Sequence, residues 1–375
     1  MGMDLFIGLM SGTSLDGVDG VLADFSGGAA RVLQHTYTPF DTPFAAELLA
    51  LNSPGDNEIH RGALAANALA RCYAQVVHRL LEAAALQPTA VSAIGAHGQT
   101  VRHRPQEFDG TGYTVQLNNP ALLAELTGID VMADFRSRDV AAGGQGAPLV
   151  PGFHHAVFGP LSPGACVLNV GGISNLTRLP PAGAADTSGL LGFDCGPGNA
   201  LMDFWCLRHT GQAFDRAGAW ADSGTVHPPL LDRLLAEPYL ARLPPKSTGR
   251  DLFNPDWLSA RLPDHADLPA ADVQATLCAF TARTCADDVL RHAPSAGLLV
   301  VCGGGALNDS LMRRLQDALP AVRVQSSAEH GLPPLQVEAT AFAWLARKAM
   351  LRETGSSKSV SGARGARVLG AIYPR

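Results

Sequence analysis

Short apolar runs separated by polar, glycine-bearing turns open the chain, and this pattern predicts several neighbouring strands. A long stretch rich in Ala and Leu and free of proline then predicts a helix, after which the alternation of strand and helix continues. The elements predicted for the first part are strands at residues 5–10, 18–25 and 32–37, a helix at 58–86, a strand at 90–96, a helix at 120–127 and a strand at 129–132.

The second part of the chain repeats this order. Its predicted elements are strands at residues 166–170, 174–179 and 190–193, a helix at 199–208, a strand at 298–302, a helix at 308–318, a strand at 322–325 and a helix at 337–351. We therefore predict a duplicated βββαβαβα, two-domain α/β architecture with a ligand cleft between the halves. The domains are expected at residues 1–133 and 134–375, with the C-terminal segment returning to the first domain. The loop at 142–147 carries three glycines and is predicted to be a hinge.

Composition excludes several classes of protein. Charged residues make up 17% of the 375 residues and apolar residues 46%, which is too apolar for a disordered chain. The formal charge is −6 and the basic residues do not cluster, so we expect no nucleic-acid partner. The seven cysteines form no Cys-x-x-Cys pair, and no apolar run is long enough to span a membrane. We expect a cytoplasmic protein that forms a homodimer, because many of its helices are apolar.

Three glycine-bearing turns are candidates for phosphate or nucleotide binding. The first, Leu9-Met10-Ser11-Gly12-Thr13-Ser14-Leu15-Asp16-Gly17-Val18-Asp19, offers backbone N–H groups and hydroxyls that converge on one point. Gly171-Gly172 occupies the equivalent turn of the second part, and Gly303-Gly304-Gly305 ends a buried strand before a helix. Each turn alone also suits an ordinary hairpin or strand-to-helix connection. Their combined placement resembles the two phosphate loops and the adenosine loop of the sugar-kinase–heat-shock–actin superfamily, whose fold is ribonuclease-H-like.

Asp194 is the candidate for an acid–base group. It follows an apolar strand and precedes a Gly-Pro-Gly turn. A carboxylate at a strand end of an α/β fold suits catalysis, and an Asp before such a turn equally suits a cap or an Asx turn. The sequence position alone favours the cap.

Several polar residues that follow strands or begin a helix are candidates for contacts with a small molecule. They are His97, Gln99, Arg136, Arg138 and Glu338. His97 and His103 are six residues apart, which does not match the spacing of metal ligands on one helix. An Arg pair suits a carboxylate, and it equally suits a solvated surface. A Glu in the first turn of a helix complements the helix dipole as readily as it binds a hydroxyl.

Six motifs together carry a closer resemblance. They are residues 9–19, Ala96-His97-Gly98-Gln99-Thr100-Val101-Arg102-His103, Asp134-Phe135-Arg136-Ser137-Arg138-Asp139, Gly192-Phe193-Asp194-Cys195-Gly196-Pro197-Gly198-Asn199, Lys246-Ser247-Thr248-Gly249-Arg250 and Val337-Glu338-Ala339. In this order they make the chain similar to the anhydro-N-acetylmuramic acid kinases over almost its full length. The resemblance implies an actin/hexokinase-type fold with ATP and a sugar in the inter-domain cleft. It further implies an ATP-dependent enzyme, acting with Mg²⁺, that opens and phosphorylates 1,6-anhydro-N-acetylmuramic acid in cell-wall recycling.

The resemblance also implies a role for each candidate residue. Asp194 would be the catalytic base. The residues implied to bind nucleotide are Gly12, Thr13, Ser14, Leu15, Asp16, Gly17, Val18, Asp19, Gly171, Gly172, Gly303, Gly304 and Gly305, and those implied to bind the sugar are His97, Gln99, Arg136, Arg138 and Glu338. The wider superfamily carries an Asp two residues before the glycine of the first loop, where this chain has Met10. Asp16 and Asp19 are therefore the candidates for orienting Mg²⁺.

An anhydro-sugar demands unusual kinase chemistry, because its O6 is tied to the anomeric carbon. We hypothesise that Asp194 takes a proton from water as the water attacks that carbon, after which O6 attacks the γ-phosphate. One alternative is a plain hexose or hexosamine kinase of the same superfamily with an intact hydroxyl acceptor. Another is a non-catalytic nucleotide-binding regulator of the same fold.

Overall fold

The computed structural model describes residues 3–12, 14–28, 30–161, 164–180, 189–249, 252–262 and 267–375. The chain forms two compact units, here called unit 1 (Met1–Val157 with Gln336–Arg375) and unit 2 (Phe158–Leu335). Unit 2 is therefore a continuous segment inserted between the two parts of unit 1.

The strands predicted from the sequence are present, with ends that differ by a few residues. In chain order, the strands of the described residues are β1 (Leu5–Met10), β2 (Gly17–Asp24), β3 (Arg31–Pro39), β4 (Ala93–Ala96), β5 (Gln99–Pro105), β6 (Gly112–Leu117), β7 (Val131–Ala133), β8 (Ala165–Val170), β9 (Ile173–Arg178), β10 (Leu191–Pro197), β11 (Leu298–Cys302), β12 (Arg323–Ser326) and β13 (Ala371–Tyr373). The sequence analysis did not predict β5, β6 or β13.

Helices cover much of the remaining chain. In chain order, the α-helices of the described residues are α1 (Thr42–Ala50), α2 (Glu58–Ala84), α3 (Pro120–Thr127), α4 (Ser137–Ala141), α5 (Pro151–Phe158), α6 (Ala200–Thr210), α7 (Ala219–Ser223), α8 (Pro228–Leu235), α9 (Pro255–Ser259), α10 (Ala270–His292), α11 (Asp309–Ala318), α12 (Val337–Met350) and α13 (Lys358–Ser361). None of these helices combines the length and the apolar character needed to span a lipid bilayer.

Each unit contains one large sheet, and the two sheets share a topology. In unit 1 the strand order is β13-β7-β4-β1-β2-β3, and in unit 2 it is β10-β9-β8-β11-β12. The first three strands of each unit are antiparallel neighbours, and the later strands run parallel to the first. This repeated arrangement confirms the predicted duplicated, ribonuclease-H-like architecture. In unit 1, β13 is added antiparallel to β7 at the edge of the sheet.

Helices cover both faces of the sheet in unit 1. Gly20 lies opposite Leu9 in the β1–β2 ladder, and a Cβ on Gly20 would lie 2.2 Å from Cγ1 of Val76 in α2. Successive residues of a strand face opposite sides, so Gly8 faces the other side. A Cβ on Gly8 would lie 1.8 Å from the carbonyl oxygen of Ala339 in α12. The absence of a side chain at Gly8 therefore allows α12 to approach the backbone of β1.

The core of unit 2 forms between its sheet and the long helix α10. Leu168 of β8, Phe193 of β10 and Val301 of β11 are fully buried in one cluster with Leu277 and Phe280 of α10. Apolar side chains at helical spacing on α10 thus meet the apolar face of the strands. Because β8 and β11 are central and buried, the turns that follow them are held on a rigid base.

The boundary between the units differs from the expected position at residues 133 and 134. Residues 134–157 belong to unit 1, because the fully buried carboxylate of Asp139 ties them to its C-terminal part. Oδ1 of Asp139 accepts from Oγ of Ser361 at 2.7 Å, and the N–H of Gln145 donates to the carbonyl of Ser361 at 2.8 Å. Residues 336–375 return to unit 1, so α12 packs on β1 and β4 rather than on the second sheet.

The glycine-rich loop at 142–147 is anchored inside unit 1. The N–H of Gly146 donates to Oδ2 of Asp139 at 2.8 Å, and the N–H of Gly144 donates to the carbonyl of Asp139 at 2.9 Å. A Cβ on Gly144 would lie 2.2 Å from Oδ2 of Asp139, so glycine is required there by close packing. The loop therefore lies within unit 1 and not at residues 157 and 158, where the chain passes from unit 1 to unit 2. Its glycines let the loop wrap around a buried carboxylate.

Candidate active site

The first glycine-bearing turn connects β1 and β2 and is supported from within unit 1. Oγ of the buried Ser11 lies 2.9 Å from the hydroxyl of Tyr73 and donates to the carbonyl of Gly98 at 3.1 Å. Nε2 of Gln99 donates to the carbonyl of Gly12 at 3.1 Å. A Cβ on Gly12 would meet nothing closer than 3.9 Å, so the turn is open at this residue. Oε1 of Gln99 is buried and has no hydrogen-bond partner among the described residues.

The remaining residues of this motif fall into two groups. Ser14 and Asp16 are exposed in the turn, and Leu15 adopts a positive φ of 57° there. Thr13 lies outside the described residues. Gly17 and Val18 are buried in β2, where a Cβ on Gly17 would lie 2.4 Å from the carbonyl of Thr38. The backbone of Gly17 and Val18 therefore belongs to the sheet rather than to the open turn.

Two aspartates beside this turn contact β3, Asp16 through its backbone carbonyl and Asp19 through its side chain. The hydroxyl of Tyr37 donates to the carbonyl of Asp16 at 2.8 Å, and Nε2 of His35 lies 3.0 Å from Oδ1 of Asp19. Burial and then the negative charges of Asp16 and Asp19 raise the pKa of Tyr37 to about 12. No cluster of three or more His, Cys, Asp or Glu side chains suited to a metal ion occurs in the described part of the chain.

His97 and Arg136 contact each other directly in unit 1. His97 is 4% exposed, and its Nε2 lies 2.9 Å from Nη2 and 3.2 Å from Nε of Arg136. Burial, followed by the positive charge of Arg136, lowers the pKa of His97 to about 3. His97 is therefore neutral at pH 7. Nη1 of Arg136 donates to the carbonyl of Gly146 at 2.7 Å.

The other predicted sugar-binding residues of unit 1 differ in exposure. Arg138 is exposed in α4, and Glu338 is half-buried in the first turn of α12. The ring centroid of His97 lies 4.7 Å from that of Phe342, which is one helical turn after Glu338 in α12. This contact places the first turns of α12 beside His97. The sequence analysis could not bring these residues together, because α12 is more than 200 residues from the motif that contains His97.

In unit 2, the Gly171-Gly172 turn joins β8 to β9 and contacts the start of α6. The N–H of Gly198 donates to the carbonyl of Gly172 at 2.9 Å, and that of Asn199 donates to the carbonyl of Gly171 at 2.8 Å. A Cβ on Gly198 would lie 2.2 Å from the carbonyl oxygen of Gly171. A Cβ on Gly171 would meet only the carbonyl of Ile173, at 3.7 Å. The turn therefore has room above Gly171, whereas Gly198 is required by the crossing of the two backbones.

The three glycines after β11 have different environments. Gly303 has a φ of 77°, and a Cβ there would lie 2.5 Å from Oδ1 of Asn169. A Cβ on Gly305 would lie 2.4 Å from Cγ1 of Val170. Gly304 is exposed, and a Cβ there would meet only Nδ2 of Asn199, at 3.3 Å. Packing and backbone conformation thus explain Gly303 and Gly305, and Gly304 alone of the three is open to a ligand.

Asp194 lies inside β10 rather than at the end of a strand. The antiparallel ladder of β9 and β10 is irregular between Asp194 and Gly196, immediately after the pair that Asp194 forms with Asn175. Oδ2 of Asp194 accepts from the N–H of Thr248 at 3.0 Å. The side chain is half-buried. The interpretation of Asp194 as a helix cap is therefore wrong, because its carboxylate is held by a segment 54 residues away.

Several residues around Asp194 were not assigned a role from the sequence. Lys246 is 7% exposed, and its carbonyl accepts from the N–H of Asp194 at 3.3 Å. Its Nζ lies 3.1 Å from Oδ2 of the buried Asp288. The hydroxyl of Tyr239 donates to the carbonyl of Asp194 at 2.8 Å, and burial raises the pKa of Tyr239 strongly, so that it stays protonated. The motif Lys246-Ser247-Thr248-Gly249 was the available signal in the sequence.

Comparisons with known proteins agree with these motifs. The sequence profile of the family "Anhydro-N-acetylmuramic acid kinase" matches residues 4–375. A protein of that name from Variovorax paradoxus (strain S110) is 65% identical over 374 residues, covering 100% of both chains. Proteins of the same name from Albidiferax ferrireducens (strain ATCC BAA-621 / DSM 15236 / T118) and Cupriavidus metallidurans (strain ATCC 43123 / DSM 2839 / NBRC 102507 / CH34) are 62% and 58% identical, covering 99% of this chain and 99% and 98% of theirs. The chain therefore belongs to the anhydro-N-acetylmuramic acid kinase family.

Proposed function

We propose that this protein is an ATP-dependent kinase that opens 1,6-anhydro-N-acetylmuramic acid with water and phosphorylates O6, giving N-acetylmuramic acid 6-phosphate. The reaction would serve the recycling of cell-wall amino sugars in the cytoplasm. The observation that carries the proposal is that the carboxylate of Asp194 is held in place by a hydrogen bond. The family to which the chain belongs supplies the reaction. Oδ2 of Asp194 accepts from the Thr248 N–H, while its backbone N–H and carbonyl bind Lys246 and Tyr239.

Asp194 would act as the general base in the proposed reaction. Its carboxylate takes a proton from water as the water attacks the anomeric carbon, which develops oxocarbenium character. The bond from that carbon to O6 breaks, and O6 attacks the γ-phosphate of ATP, from which ADP departs. Glycosidases use a second carboxylic acid to protonate the leaving oxygen, and here capture of O6 by the phosphoryl group replaces that step. Attack by water from the side opposite O6 inverts the anomeric carbon.

The open glycine turns are the proposed contacts for ATP. Gly12 in unit 1 and Gly171 in unit 2 leave space where a Cβ would stand, and Gly304 in unit 2 is exposed, with only Nδ2 of Asn199 near such a Cβ, at 3.3 Å. Backbone N–H groups in such turns suit phosphate oxygens. Mg²⁺ bound with ATP would neutralise charge on the β- and γ-phosphates. It usually takes one or two carboxylates, phosphates and water as ligands, so Asp16 or Asp19 suffices without a larger protein cluster.

The sugar is proposed to contact unit 1 through His97, Gln99, Arg136, Arg138 and Glu338. The lactyl group of the substrate carries a carboxylate, and guanidinium groups bind carboxylates in a bidentate manner. Arg136 is held in one orientation by its bonds to His97 and to the carbonyl of Gly146. This fixed orientation suits recognition of the lactyl group.

Reaction in ¹⁸O-labelled water tests the proposal. The hydrolytic route places one label on the anomeric oxygen of the phosphorylated product, with inversion of that centre. Product that carries no label would instead support a plain sugar kinase with an intact hydroxyl acceptor. A control with unlabelled product in labelled water measures background exchange at the anomeric carbon.

The variant Asp194→Asn tests the base directly. Turnover of the anhydro-sugar should fall by about 10²–10⁴-fold, the range expected for a lost general base, while ATP binding is retained. Turnover within about tenfold of the wild-type value would show that another group is the base. Absence of any sugar-dependent ATP turnover in the wild-type protein would favour a nucleotide-binding regulator.

A further inference from the structure

A buried ion pair lies directly behind the segment that holds Asp194. Nζ of Lys246 is 3.1 Å from Oδ2 and 3.4 Å from Oδ1 of Asp288, and their side chains are 1% and 4% exposed. The ammonium group of Lys246 is thus held by Asp288 inside unit 2. In this position it can act on the reaction through its neighbours.

The ammonium group of Lys246 lies near two aromatic rings, one from the residue before Asp194 and one from a residue that binds its carbonyl. Its Nζ lies 5.3 Å from the ring centroid of Phe193, which precedes Asp194, and 5.3 Å from that of Tyr239. These distances lie within the range of cation–π attraction. Tyr239 in turn donates its hydroxyl to the carbonyl of Asp194. The ammonium group is thus surrounded by Asp288 and the two aromatic rings beside Asp194.

The backbone of Lys246 and its neighbours binds Asp194 directly. The carbonyl of Lys246 accepts from the N–H of Asp194 at 3.3 Å, and two residues later the N–H of Thr248 donates to Oδ2 of Asp194 at 3.0 Å. Residues 246–248 lie in a segment without regular secondary structure. Their position is therefore not set by a helix or strand ladder. The ion pair anchors this segment to α10, which carries Asp288.

Stability alone does not account for the pair. Removing two charges from water is expensive, and a buried ion pair contributes about as much net stability as apolar side chains of similar volume, or less. Removing only one partner of such a pair is strongly destabilising, because the charge of the other partner stays buried and unpaired. A buried pair of this kind is therefore better explained by the geometry it fixes.

We propose that Lys246 is a positioning residue for the reaction: its ion pair with Asp288 anchors residues 246–248, so that the Thr248 N–H holds the Asp194 carboxylate in its reactive orientation. This inference rests on the proposed role of Asp194 as the base. It assigns a specific task to Lys246 and Asp288, neither of which contacts the reacting atoms.

Three variants separate positioning from stability. Lys246→Met and Asp288→Asn each remove one charge, and the double variant removes both and leaves no buried charge unpaired. We expect each single variant to lower kcat about 10–100-fold while KM for ATP and for the sugar changes less than about threefold, as for a misplaced catalytic group. In the double variant the melting temperature should recover towards the wild-type value, whereas kcat should stay as low as in the single variants.

Asp287→Asn is the matched control. Asp287 neighbours Asp288 on α10 but pairs at 2.8 Å with the exposed Arg283. Its loss should leave kcat within about twofold of the wild-type value, since surface ion pairs contribute little. Recovery of kcat together with the melting temperature in the double variant would overturn the proposal, because the pair would then serve stability only. Wild-type kcat in either single variant would overturn it as well.

Asp194→Asn, assayed in parallel, separates this proposal from the proposed function. An inactive Asp194→Asn together with fully active Lys246→Met would overturn the positioning role alone. An Asp194→Asn variant with near wild-type turnover would overturn the role of Asp194 and, with it, the positioning role. If Lys246→Met does not fold, Asp288→Asn and the double variant still give the comparison of kcat with melting temperature.

Discussion

The imidazole of His97 accepts a hydrogen bond from the guanidinium of Arg136, with Nε2 2.9 Å from Nη2. A guanidinium has no acceptor, so Nε2 of His97 carries the lone pair and the ring proton lies on Nδ1. Nδ1 faces the carbonyl of Ser11 at 3.4 Å. This neutral tautomer links the turn after β1 to the arginine that begins α4. Protonation of His97 would turn the acceptor into a second donor and break the link.

This relationship predicts a pH dependence of stability. The pKa of His97 falls to about 3 in the folded protein from an ordinary value of 6.5, so the unfolded chain binds the proton more readily. The contribution of His97 is fully present above pH 6.5 and is lost as the pH falls towards 3. Unfolding in urea should show a fall of about 1.4 kcal/mol per pH unit from this group over that interval.

His97→Gln tests the assignment, because Oε1 of glutamine can accept from Arg136 without titrating. In this variant the free energy of unfolding should fall less steeply with decreasing pH, because one group fewer takes up a proton on unfolding. His60→Gln is the control for the replacement itself, since His60 is exposed on α2. An acid slope in His97→Gln equal to that of the wild type would contradict the neutral, buried state of His97.

Arg138 in α4 and Arg136 at its N-cap should differ in their contributions to stability. Arg138→Met removes an exposed side chain, so the free energy of unfolding should change by less than about 0.5 kcal/mol. Arg136→Met leaves Nε2 of His97 and the carbonyl of Gly146 without their donor. The free energy of unfolding should therefore fall by about 1–3 kcal/mol. Both variants should raise KM for the sugar about tenfold or more.

A substrate whose lactyl carboxylate is converted to the methyl ester isolates the interaction. The ester should bind the wild-type protein and both arginine variants with similar KM, because the charge that the guanidinium recognises is absent. Steady-state kinetics with the acid and the ester measure this difference. A tenfold preference of Arg138→Met for the acid over the ester, equal to that of the wild type, would exclude Arg138 from the recognition.

Gly304 and Gly305 should respond differently to the same substitution. Gly304→Val places its side chain on the exposed side of the turn, where the Cβ meets only the flexible Nδ2 end of Asn199, at 3.3 Å, and it should fold while weakening ATP binding about tenfold or more. Gly305→Val forces a branched side chain against Val170 and should lower the free energy of unfolding by about 1–3 kcal/mol. Calorimetric titration with ATP and thermal unfolding measure the two effects. Unchanged ATP affinity in folded Gly304→Val would remove this turn from the nucleotide site.

Gly8 should be among the positions of unit 1 least tolerant of a side chain. A Cβ there would lie 1.8 Å from the carbonyl oxygen of Ala339, so Gly8→Ala must separate α12 from β1. We expect a loss of about 3 kcal/mol or more in the free energy of unfolding. Gly27→Ala is the control, since a Cβ there meets nothing within 4 Å and should change stability by less than about 1 kcal/mol. Equal melting temperatures of the two variants would contradict the close packing of α12 on β1.

The sequence predicted most of the fold because its large elements are strongly periodic. The two large sheets have five strands in common, and all five were recognised in each sheet from an apolar run or an alternating pattern. The hairpin of β5 and β6 was missed because Arg102, His103 and Arg104 interrupt the apolar signal, and β13 because it is only three residues long. The boundary of unit 1 was also missed. Residues 134–157 are tied to the C-terminal part of unit 1 by contacts such as the hydrogen bond from Ser361 to Asp139 across 222 residues, which no local pattern encodes.

The candidate site was predicted as a set of motifs rather than as an arrangement. The three glycines at 303–305 are equivalent in the sequence, and only their distances to Asn169 and Val170 separate two packing positions from one open position. The surroundings of Asp194 come from residues more than 40 positions away along the chain, namely Tyr239 and Thr248. Local sequence could identify the carboxylate but could not identify what holds it.

The return of residues 336–375 to unit 1 has a consequence for the order of folding during synthesis. Unit 2 is continuous in the chain, so all of its residues emerge from the ribosome before α12 does. The sheet face that bears Gly8 lacks its covering helix until that point, and the edge at β7 lacks β13 until residues 371–373 emerge. We therefore expect unit 2 to reach its native state first on the ribosome, while the earlier-made part of unit 1 waits for the last segment of the chain.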